Sequence, residues 1–213
     1  DCLLSRGLGD VYKRQILNSD EYNLILGGVE DDNLNGTSGK DLMLGFGGSD
    51  VLDGEDGDDL IYGGFGDDSL RGGNGDDELY GGLGEDDLWG ESGNDKLYGG
   101  NHDDKLYGEA GNDELYGEDG SDDLYGGDGD DKLFGGEGND YLYGNNGNDY
   151  LEGGNGRNHM YGGEGDTLLS AEKIPTICTE KTETIHSTEE TVLTICTAVK
   201  AMITSQAAKA TTT

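Results

Sequence analysis

The residues with an evident capacity for chemistry are aspartates that recur at intervals of nine. Residues 27–170 divide into sixteen successive stretches of nine residues, and Asp occupies the same place in fourteen of them. Asn158 and Thr167 stand at that place in the other two. Carboxylates at such regular spacing favour hard cations, because these cations prefer oxygen ligands. The aspartates are Asp32, Asp41, Asp50, Asp59, Asp68, Asp77, Asp86, Asp95, Asp104, Asp113, Asp122, Asp131, Asp140 and Asp149.

The elements that must position these carboxylates are sixteen nonapeptides without an insertion between them. Asp stands at position six of the repeat. Gly fills the first position in all sixteen and the fourth in fourteen, with Glu30 and His102 as the exceptions. The eighth position is always Leu, Ile or Met. Gly makes up only about 7% of average proteins, so this regularity indicates a repeat architecture.

Each nonapeptide divides into a turn and a short strand. Positions one to six have turn composition, since Gly permits positive φ and a close approach of other backbone. Positions seven to nine predict a three-residue strand whose eighth residue points opposite to its neighbours. One such strand buries too little alone, so we expect stacked copies, with two nonapeptides per 18-residue coil and about eight coils. The predicted fold is an all-β solenoid of two parallel sheets whose apolar files face each other.

Stacking of the coils would place the position-six aspartates in two columns. Carboxylates roughly 5 Å apart repel one another unless a cation lies between them. The Gly-rich turns also expose main-chain carbonyls, and a flexible frame of oxygen ligands suits Ca²⁺ better than Mg²⁺, Zn²⁺ or copper. The alternative is that acidic residues merely solvate the turns. That alternative accounts for the acidity of the turns. It does not explain why the sixth position is nearly always Asp while the fifth position varies.

The charge of the chain disfavours some classes of partner. The 213 residues are 31% hydrophobic and carry a net charge of −34. Residues 27–170 hold 38 acidic residues against six basic ones, which disfavours nucleic acid and anionic membranes as partners. No apolar run reaches the length of a membrane-spanning helix. The same composition is typical of acidic disordered segments, an interpretation that stays open for the chain without ions.

The pattern G-G-x-G-x-D-x-U-x, complete at residues 72–79 (GGNGDDEL), resembles the repeats-in-toxin (RTX) or haemolysin-type calcium-binding nonapeptide. The resemblance covers residues 27–166 and implies a parallel β-roll, a right-handed β-solenoid, that binds Ca²⁺ between successive turns. It assigns the carboxylate ligand to the fourteen aspartates named above. We expect on the order of ten ions, since each ion needs a stacked pair of turns. The resemblance also implies a secreted, extracellular protein in which these repeats are a scaffold or a secretion-coupled domain.

The repeats carry no catalytic motif, so we predict that this module is not an enzyme. His102, His159 and His186 are the only histidines, and neither HExxH nor GxSxG occurs. We expect calcium ions as partners, a monomeric chain, and a type I secretion apparatus that acts through a C-terminal signal missing from this sequence. Two alternatives stay open: a stalk or adhesin spacer with an aromatic ligand-binding face, and the C-terminal part of a secreted protease, lipase or toxin.

Aromatic residues concentrate at the ninth position, which faces outward in the predicted fold. We expect cross-strand ladders that stiffen the short strands, each pair contributing roughly 0.2–1 kcal/mol. The alternative is a face that binds carbohydrate or a protein partner. An ice-binding face is disfavoured, because such faces resemble flat rows of Thr and the nonapeptides contain only two threonines, Thr37 and Thr167. The aromatic residues are Tyr62, Tyr80, Trp89, Tyr98, Tyr107, Tyr116, Tyr125, Phe134, Tyr143 and Tyr161.

The segments that flank the repeats have a different character. Residues 1–15 resemble a translated sequencing-library adapter and are interpreted as non-native, the alternative being a short genuine N-terminus. Residues 16–26 contain a decayed first repeat with Asn23 in the Asp position. Residues 171–213 are rich in Thr and Ala and repeat the motif Thr-Ile-Cys-Thr after 18 residues. We interpret this tail as nonapeptides translated out of frame and expect it to be poorly ordered; the alternative is a Thr-rich linker.

Overall fold

A computed structural model of the chain describes residues 22–170 and the strand Ile177–Thr179. Every regular element of these residues is a β-strand. The strands are β1 (Asn23–Leu26), β2 (Asn33–Thr37), β3 (Asp41–Gly47), β4 (Val51–Glu55), β5 (Leu60–Phe65), β6 (Ser69–Asn74), β7 (Glu78–Leu83), β8 (Asp87–Ser92), β9 (Lys96–Asn101), β10 (Lys105–Ala110), β11 (Glu114–Asp119), β12 (Asp123–Asp128), β13 (Lys132–Glu137), β14 (Tyr141–Asn146), β15 (Tyr150–Glu152), β16 (His159–Tyr161), β17 (Leu168–Ser170) and β18 (Ile177–Thr179).

The strands form two parallel sheets of nine strands each. The odd-numbered strands follow one another in one sheet and the even-numbered strands in the other, and we call these the odd sheet and the even sheet. Neighbouring strands pair residues that lie 18 positions apart, such as Leu79 with Leu97 and Leu106 with Leu124. Each coil therefore uses two nonapeptides. This arrangement confirms the predicted parallel β-solenoid of about eight coils.

The core is a single cluster of position-eight side chains from both sheets. Their neighbours at positions seven and nine point outward, as alternation along a strand requires. Ile25 and Leu34 are partly buried against the first coil of the cluster. The core residues each expose 1% of their surface or less, and they are Met43, Leu52, Ile61, Leu70, Leu79, Leu88, Leu97, Leu106, Leu115, Leu124, Leu133, Leu142, Leu151, Met160 and Leu169.

Most strands are longer than the three residues predicted. From β5 to β14 each strand has six residues, because pairing continues through the first three positions of the next nonapeptide. In β7, for example, Gly82 and Leu83 lie opposite Gly100 and Asn101 of β9. The neighbouring coil thus supplies partners for main-chain groups that a longer turn would leave unpaired. The turn itself is confined to positions four to six.

The ninth-position aromatic rings form one ladder on each sheet, which confirms the expected cross-strand stacking. In the odd sheet, successive rings from Tyr62 to Phe134 have centroids 4.6–4.8 Å apart and planes within 4–6° of parallel. In the even sheet, the ladder from Trp89 to Tyr161 has spacings of 4.8–5.6 Å. Each ring face is therefore covered by the next ring, and the ladders present mainly ring edges to solvent.

The two ends of the chain are described only in part. Strand β18 continues the 18-residue register beyond Ser170, since Met160 lies opposite Cys178. Residues 1–21 and the rest of the tail lie outside the described residues. The interpretation of residues 1–15 as an adapter and of the tail as out-of-frame nonapeptides therefore concerns residues that the structure does not describe. Within the part of the chain that the structure describes, no helix has the length and hydropathy that crossing a membrane requires.

Candidate metal centre

The position-six side chains line two columns of turns, one on each side of the solenoid. Within a column, the N–H of one Asp donates to Oδ1 of the Asp 18 residues later at 2.7–3.1 Å, as Asp32 does to Asp50. From Asp41 to Asp149 these residues expose at most 3% of their surface. One column contains Asp32, Asp50, Asp68, Asp86, Asp104, Asp122 and Asp140, and the other contains Asp41, Asp59, Asp77, Asp95, Asp113, Asp131 and Asp149.

The second carboxylate oxygen, Oδ2, is buried without a hydrogen-bond partner in twelve of the fourteen aspartates. An unsatisfied buried polar group costs on the order of 1–3 kcal/mol, and a charged one costs more. Each of these oxygens therefore needs a proton or a cation beside it. The residues are Asp50, Asp59, Asp68, Asp77, Asp86, Asp95, Asp104, Asp113, Asp122, Asp131, Asp140 and Asp149.

The aspartates of the first two nonapeptides differ from the other twelve. Oδ2 of Asp32 accepts a hydrogen bond from the N–H of Gly28 at 2.6 Å, and Oδ2 of Asp41 accepts one from the N–H of Thr37 at 2.6 Å. Gly28 and Thr37 are also the two position-two residues that lack a positive φ. Sequence reasoning treated all fourteen aspartates alike, because the conformation at position two is not visible in the residue pattern.

Burial raises the pKa of the eleven position-six carboxyl groups from Asp59 to Asp149 far above the ordinary value. Loss of hydration is the largest cause, and the N–H bond to Oδ1 offsets part of it. The pKa of Asp95 and of Asp104 is about 8, and that of Asp68 and of Asp77 is about 7. Turns without a cation therefore take up protons near neutral pH, at the oxygens that lack any other partner.

The glycine at position one leaves the space in which oxygens converge. A Cβ atom on Gly45 would lie 2.3 Å from Oδ2 of Asp50 and 2.6 Å from the carbonyl oxygen of Gly63 in the next coil. On Gly90 it would lie 2.4 Å from Oδ2 of Asp95. Position one lacks a positive φ. Gly is therefore required there for space, and a carboxylate oxygen and a main-chain oxygen share that space.

Positions two and four contribute further main-chain oxygens. A Cβ on Gly64 would lie 2.5 Å from the carbonyl oxygen of Phe46, and one on Gly66 would lie 2.1 Å from that of Gly48. These carbonyls thus point along the stack at the following coil. Among the described residues, no group of three or more His, Cys, Asp or Glu side chains could hold a metal ion. An ion in these turns would therefore need main-chain carbonyls in addition to a carboxylate.

Sequence reasoning linked positive φ to glycine and so missed position two. Phe46 and Glu91 have φ values of 75° and 73° there, although neither is Gly. At the fourth position His102 keeps the left-handed conformation with φ of 85°, whereas Glu30 does not adopt it. The available signal was the frequent Gly at position two, but the Glu, Asn and Phe residues that interrupt it concealed the requirement.

In the last two nonapeptides Asn158 and Thr167 replace Asp. Oδ1 of Asn158 accepts the N–H of Asp140 at 2.9 Å, as an Asp would. Its Nδ2 lies beside Gly153, where other turns place Oδ2, and donates to the carbonyl oxygen of Gly153 at 2.6 Å. The amide therefore satisfies this turn with hydrogen bonds alone.

The family comparison addresses the same residues. No curated protein matches this sequence. The RTX calcium-binding nonapeptide repeat matches residues 26–61, 62–97, 80–115, 98–133 and 134–169. These segments cover residues 26–169, which is well over half of the 213-residue chain. The same residues form a parallel solenoid of 18-residue coils with buried carboxylates at position six. The chain therefore belongs to the family of RTX calcium-binding nonapeptide repeats, which bind Ca²⁺.

Proposed function

We propose that residues 27–170 form an extracellular module that folds when its turns bind Ca²⁺, and that it serves as a scaffold or secretion-coupled domain of a larger secreted protein. The observation that carries this proposal is the set of twelve buried Oδ2 atoms without a partner. Hard oxygen donors in a Gly-rich frame suit Ca²⁺, which accepts irregular geometry and mixed carboxylate and carbonyl ligands.

The proposed ligands come from stacked turns. In the turn that contains Asp50, the carboxylate would contribute Oδ2, and the carbonyl oxygen of Gly63 lies beside it from the next coil. The same pair of oxygens lies beside Gly54, Gly81, Gly108, Gly117, Gly126, Gly135 and Gly144. The bound ion supplies positive charge where the protein otherwise has only acceptors. Asp32 and Asp41 would contribute least, since main-chain N–H groups already satisfy their Oδ2 atoms.

The distribution of charge explains why folding would depend on the ion. The sixteen nonapeptides carry 38 acidic residues against six basic ones, and the position-six carboxylates are stacked in two files inside the protein. Each coil contributes only two core side chains to oppose this repulsion and the entropy of ordering 18 residues. Binding of an ion between turns removes the repulsion, so its binding free energy becomes folding free energy.

The aromatic ladders support a structural role for the outer faces. A sugar ring stacks on the face of an aromatic side chain, but these faces are occupied by neighbouring rings 4.6–5.6 Å away. Offset stacking of parallel rings stabilises the sheet beyond the area it buries. We therefore assign the ladders to coil stacking, which is what a scaffold module requires, and not to a carbohydrate-binding face.

The test is circular dichroism of the full chain during a Ca²⁺ titration, with Mg²⁺ as the control ion. We expect little strand signal in excess chelator and a cooperative gain at the high micromolar to millimolar Ca²⁺ levels typical of extracellular modules. Asp95→Ala should raise the midpoint more than Asp32→Ala, because Oδ2 is unsatisfied in Asp95 only. Full strand signal in chelator, or an equal response to Mg²⁺, would contradict the proposal.

A further inference from the structure

Three asparagines stand at the same place in the repeat, and a glycine follows each of them. Asn74, Asn146 and Asn155 occupy position three, and the glycine after each one occupies position four. All three asparagines are exposed. A fourth Asn-Gly dipeptide, at Asn35, lies inside strand β2. The turn of each nonapeptide begins at position four, so the three exposed side chains lie at the start of the turns and outside the set of buried carboxylates.

An Asn-Gly dipeptide carries an electrophile and a nucleophile at adjacent residues. In the reaction open to Asn146 and Gly147, the main-chain nitrogen of the glycine attacks Cγ of the asparagine and loses its proton, while the side-chain nitrogen leaves as ammonia. The product is a cyclic succinimide, and the attack is intramolecular, which favours it strongly. Glycine has no Cβ to obstruct the approach. Water then opens the ring at either carbonyl and gives aspartate or isoaspartate, so the net reaction consumes water, releases ammonia and needs no other reactant.

In the solenoid, the carboxamide of each of these asparagines is held by the preceding coil. Its Nδ2 donates a hydrogen bond to a carboxylate oxygen of the residue 18 positions earlier. This bond fixes the side chain along the stack of coils, whereas ring closure needs the side chain to fold back onto its own main chain. The pairs are Asn74 with Asp56 at 2.8 Å, Asn146 with Asp128 at 2.7 Å and Asn155 with Glu137 at 2.7 Å.

The attacking nitrogen is held by the following coil after Asn74 and after Asn146. The N–H of Gly75 donates to the carbonyl oxygen of Ser92 at 2.8 Å, and the N–H of Gly147 donates to that of Glu164 at 2.8 Å. A nitrogen that donates such a bond has to give it up before it can lose its proton to solvent and attack. The stacked coils therefore restrain the nucleophile as well as the electrophile.

The main chain of each asparagine is also bridged to a neighbouring coil. Ring closure rotates the bonds between the asparagine and the glycine, and a parallel bridge at the asparagine opposes that rotation. All three restraints depend on stacking, so the reaction requires the coils to separate first. The isolated bridges join Asn74 with Asp56, Asn155 with Glu137, and Asn146 with Glu164.

We propose that Asn74, Asn146 and Asn155 are sites of spontaneous deamidation, which the stacked coils protect and which the chain without Ca²⁺ exposes. In the folded protein the reaction is limited to the fraction of time in which a coil is open. In the open chain the same dipeptides are unrestrained and react at the rate of a free peptide. The dependence on Ca²⁺ rests on the proposed function, since there the ion is what keeps the coils stacked.

Deamidation at these positions opposes refolding. It replaces Nδ2, which donates to a carboxylate, by an oxygen, so two acidic groups face each other between neighbouring coils. Isoaspartate also adds a methylene to the main chain at position three, where Asn146 pairs with Asp128 in the 18-residue register. A chain that has spent a long time without Ca²⁺ should therefore regain less strand structure when Ca²⁺ returns, and the three asparagines would limit how long the unfolded chain stays competent to fold.

Peptide mass spectrometry of the full chain, incubated at mildly alkaline pH, tests the proposal site by site. The three arms are saturating Ca²⁺, excess chelator, and Ca²⁺ with concentrated guanidinium chloride, which opens the coils whatever the ion does. We expect Asn74 and Asn146 to react at least roughly tenfold more slowly in Ca²⁺ alone than in either other arm. Asn112 is the internal control: it is exposed too, but Asp113 follows it and obstructs the nitrogen, so it should react slowly in every arm.

The matched variant is Asn74→Gln with Asn146→Gln and Asn155→Gln. It keeps an amide at each position but needs a larger ring, which closes far more slowly. After prolonged incubation in chelator, Ca²⁺ should restore the full strand signal of this variant and only part of that of the wild type. Equal restoration would overturn the effect on refolding.

Circular dichroism of the same samples separates the two proposals. Strand signal in Ca²⁺ together with equal reaction rates in Ca²⁺ and in guanidinium chloride overturns protection by the coils, and asparagines that stay intact in guanidinium chloride overturn the sites themselves. Strand signal that Ca²⁺ does not change overturns the proposed function instead. In that case, slower reaction in Ca²⁺ alone than in guanidinium chloride still supports protection by the stacked coils.

Discussion

The turns of Asp140 and Asn158 belong to the same column, yet they satisfy their buried side chains differently. In both turns, Oδ1 accepts a hydrogen bond from a main-chain N–H of the preceding coil. Asp122 donates to Asp140, and Asp140 donates to Asn158. At the other atom, Asp140 has an Oδ2 without a partner, and Asn158 has an Nδ2 that donates to Gly153. One atom, oxygen or nitrogen, thus separates a turn that needs a cation from a turn that does not.

This difference shows what the cation contributes. The Asn158 turn joins β15 to β16 in the same 18-residue register as the other coils, although these two strands have only three residues each. The fold of a turn therefore does not require an ion as such. In the Asn158 turn the amide Nδ2 donates to a main-chain oxygen at the place where an Asp turn would need a cation or a proton. Under the proposed function, calcium dependence would therefore come from the choice of Asp over Asn at position six.

The largest expected effect is the conversion of several Asp turns into Asn turns. In the quadruple variant Asp86→Asn, Asp104→Asn, Asp122→Asn and Asp140→Asn, four amides would extend the column that ends at Asn158. Each amide removes a buried charge and donates to a carbonyl oxygen. We expect substantial strand signal by circular dichroism in excess chelator, where the proposed function predicts little for the wild type, and about four fewer bound Ca²⁺ ions.

The matched control for this prediction replaces the same four aspartates by Ala. The Ala variant also removes the charges, but it provides no donor for the carbonyl oxygens and no acceptor for the N–H groups of the preceding coil. We therefore expect the Asn variant to exceed the Ala variant in strand content without Ca²⁺. Equal signals for the two variants would mean that charge removal alone matters and that the amide of Asn158 is not a substitute for the cation.

The second prediction replaces the cation by protons. Burial raises the pKa of the position-six carboxyls to about 6 in Asp59 and to about 8 in Asp95, above the ordinary value of 3.8. The folded state therefore binds more protons than the unfolded state, and protonation stabilises the fold. This stabilisation is complete below about pH 4 and is lost as the pH rises through 6 to 8.

In the chain without Ca²⁺, strand signal should therefore increase as the pH is lowered from 8 to 5. The apparent Ca²⁺ affinity should decrease over the same range, because protons and ions compete for Oδ2. Circular dichroism of the metal-free chain, with Ca²⁺ titrations at each pH, measures both effects. The quadruple Asn variant is the control, since it has four fewer of these carboxyls and should respond less. Strand content that is independent of pH between 5 and 8 would refute this account.

A smaller effect is expected when the space beside the carboxylate is filled. In Gly90→Ala the new Cβ would lie 2.4 Å from Oδ2 of Asp95, in the space where the oxygens converge. Overpacking of this kind costs about 1–3 kcal/mol. Urea unfolding in saturating Ca²⁺ measures the loss. The control is Gly39→Ala, because a Cβ there would have no atom within 4 Å, and its effect should stay within about 0.5 kcal/mol.

Periodicity alone was sufficient to predict the architecture. A Gly at every ninth residue and an apolar residue seven places later predict the two sheets, the 18-residue register and the buried file from Met43 to Leu169, all of which the structure contains. These features depend on side-chain type and alternation, which a sequence displays directly. The column geometry of the position-six aspartates followed from the same register.

Local backbone conformation and hydrogen bonding could not be predicted in the same way. The strands extend through position three because a neighbouring coil pairs with them, and this pairing depends on contacts 18 residues away. Phe46 adopts a positive φ against its own preference for the same reason. Oδ2 of Asp32 accepts a hydrogen bond from a main-chain N–H, whereas Oδ2 of Asp50 has no partner. Nothing in the residue pattern distinguishes these two aspartates.

The smallest expected effect comes from the reverse exchange, Asn158→Asp. This variant replaces the Nδ2 that donates to Gly153 by an oxygen, so the last Asn turn becomes like that of Asp140. We expect one additional Ca²⁺ ion by calorimetric stoichiometry, and a loss of about 1–3 kcal/mol at low Ca²⁺ that saturating Ca²⁺ restores. Asn139→Asp, at an exposed side chain whose Oδ1 accepts the N–H of Arg157 at 3.0 Å, adds the same charge and keeps that bond, so it should change neither quantity appreciably. If Asn158→Asp binds no further ion and unfolds as the wild type does at every Ca²⁺ concentration, then the residue at position six does not decide which turns need calcium.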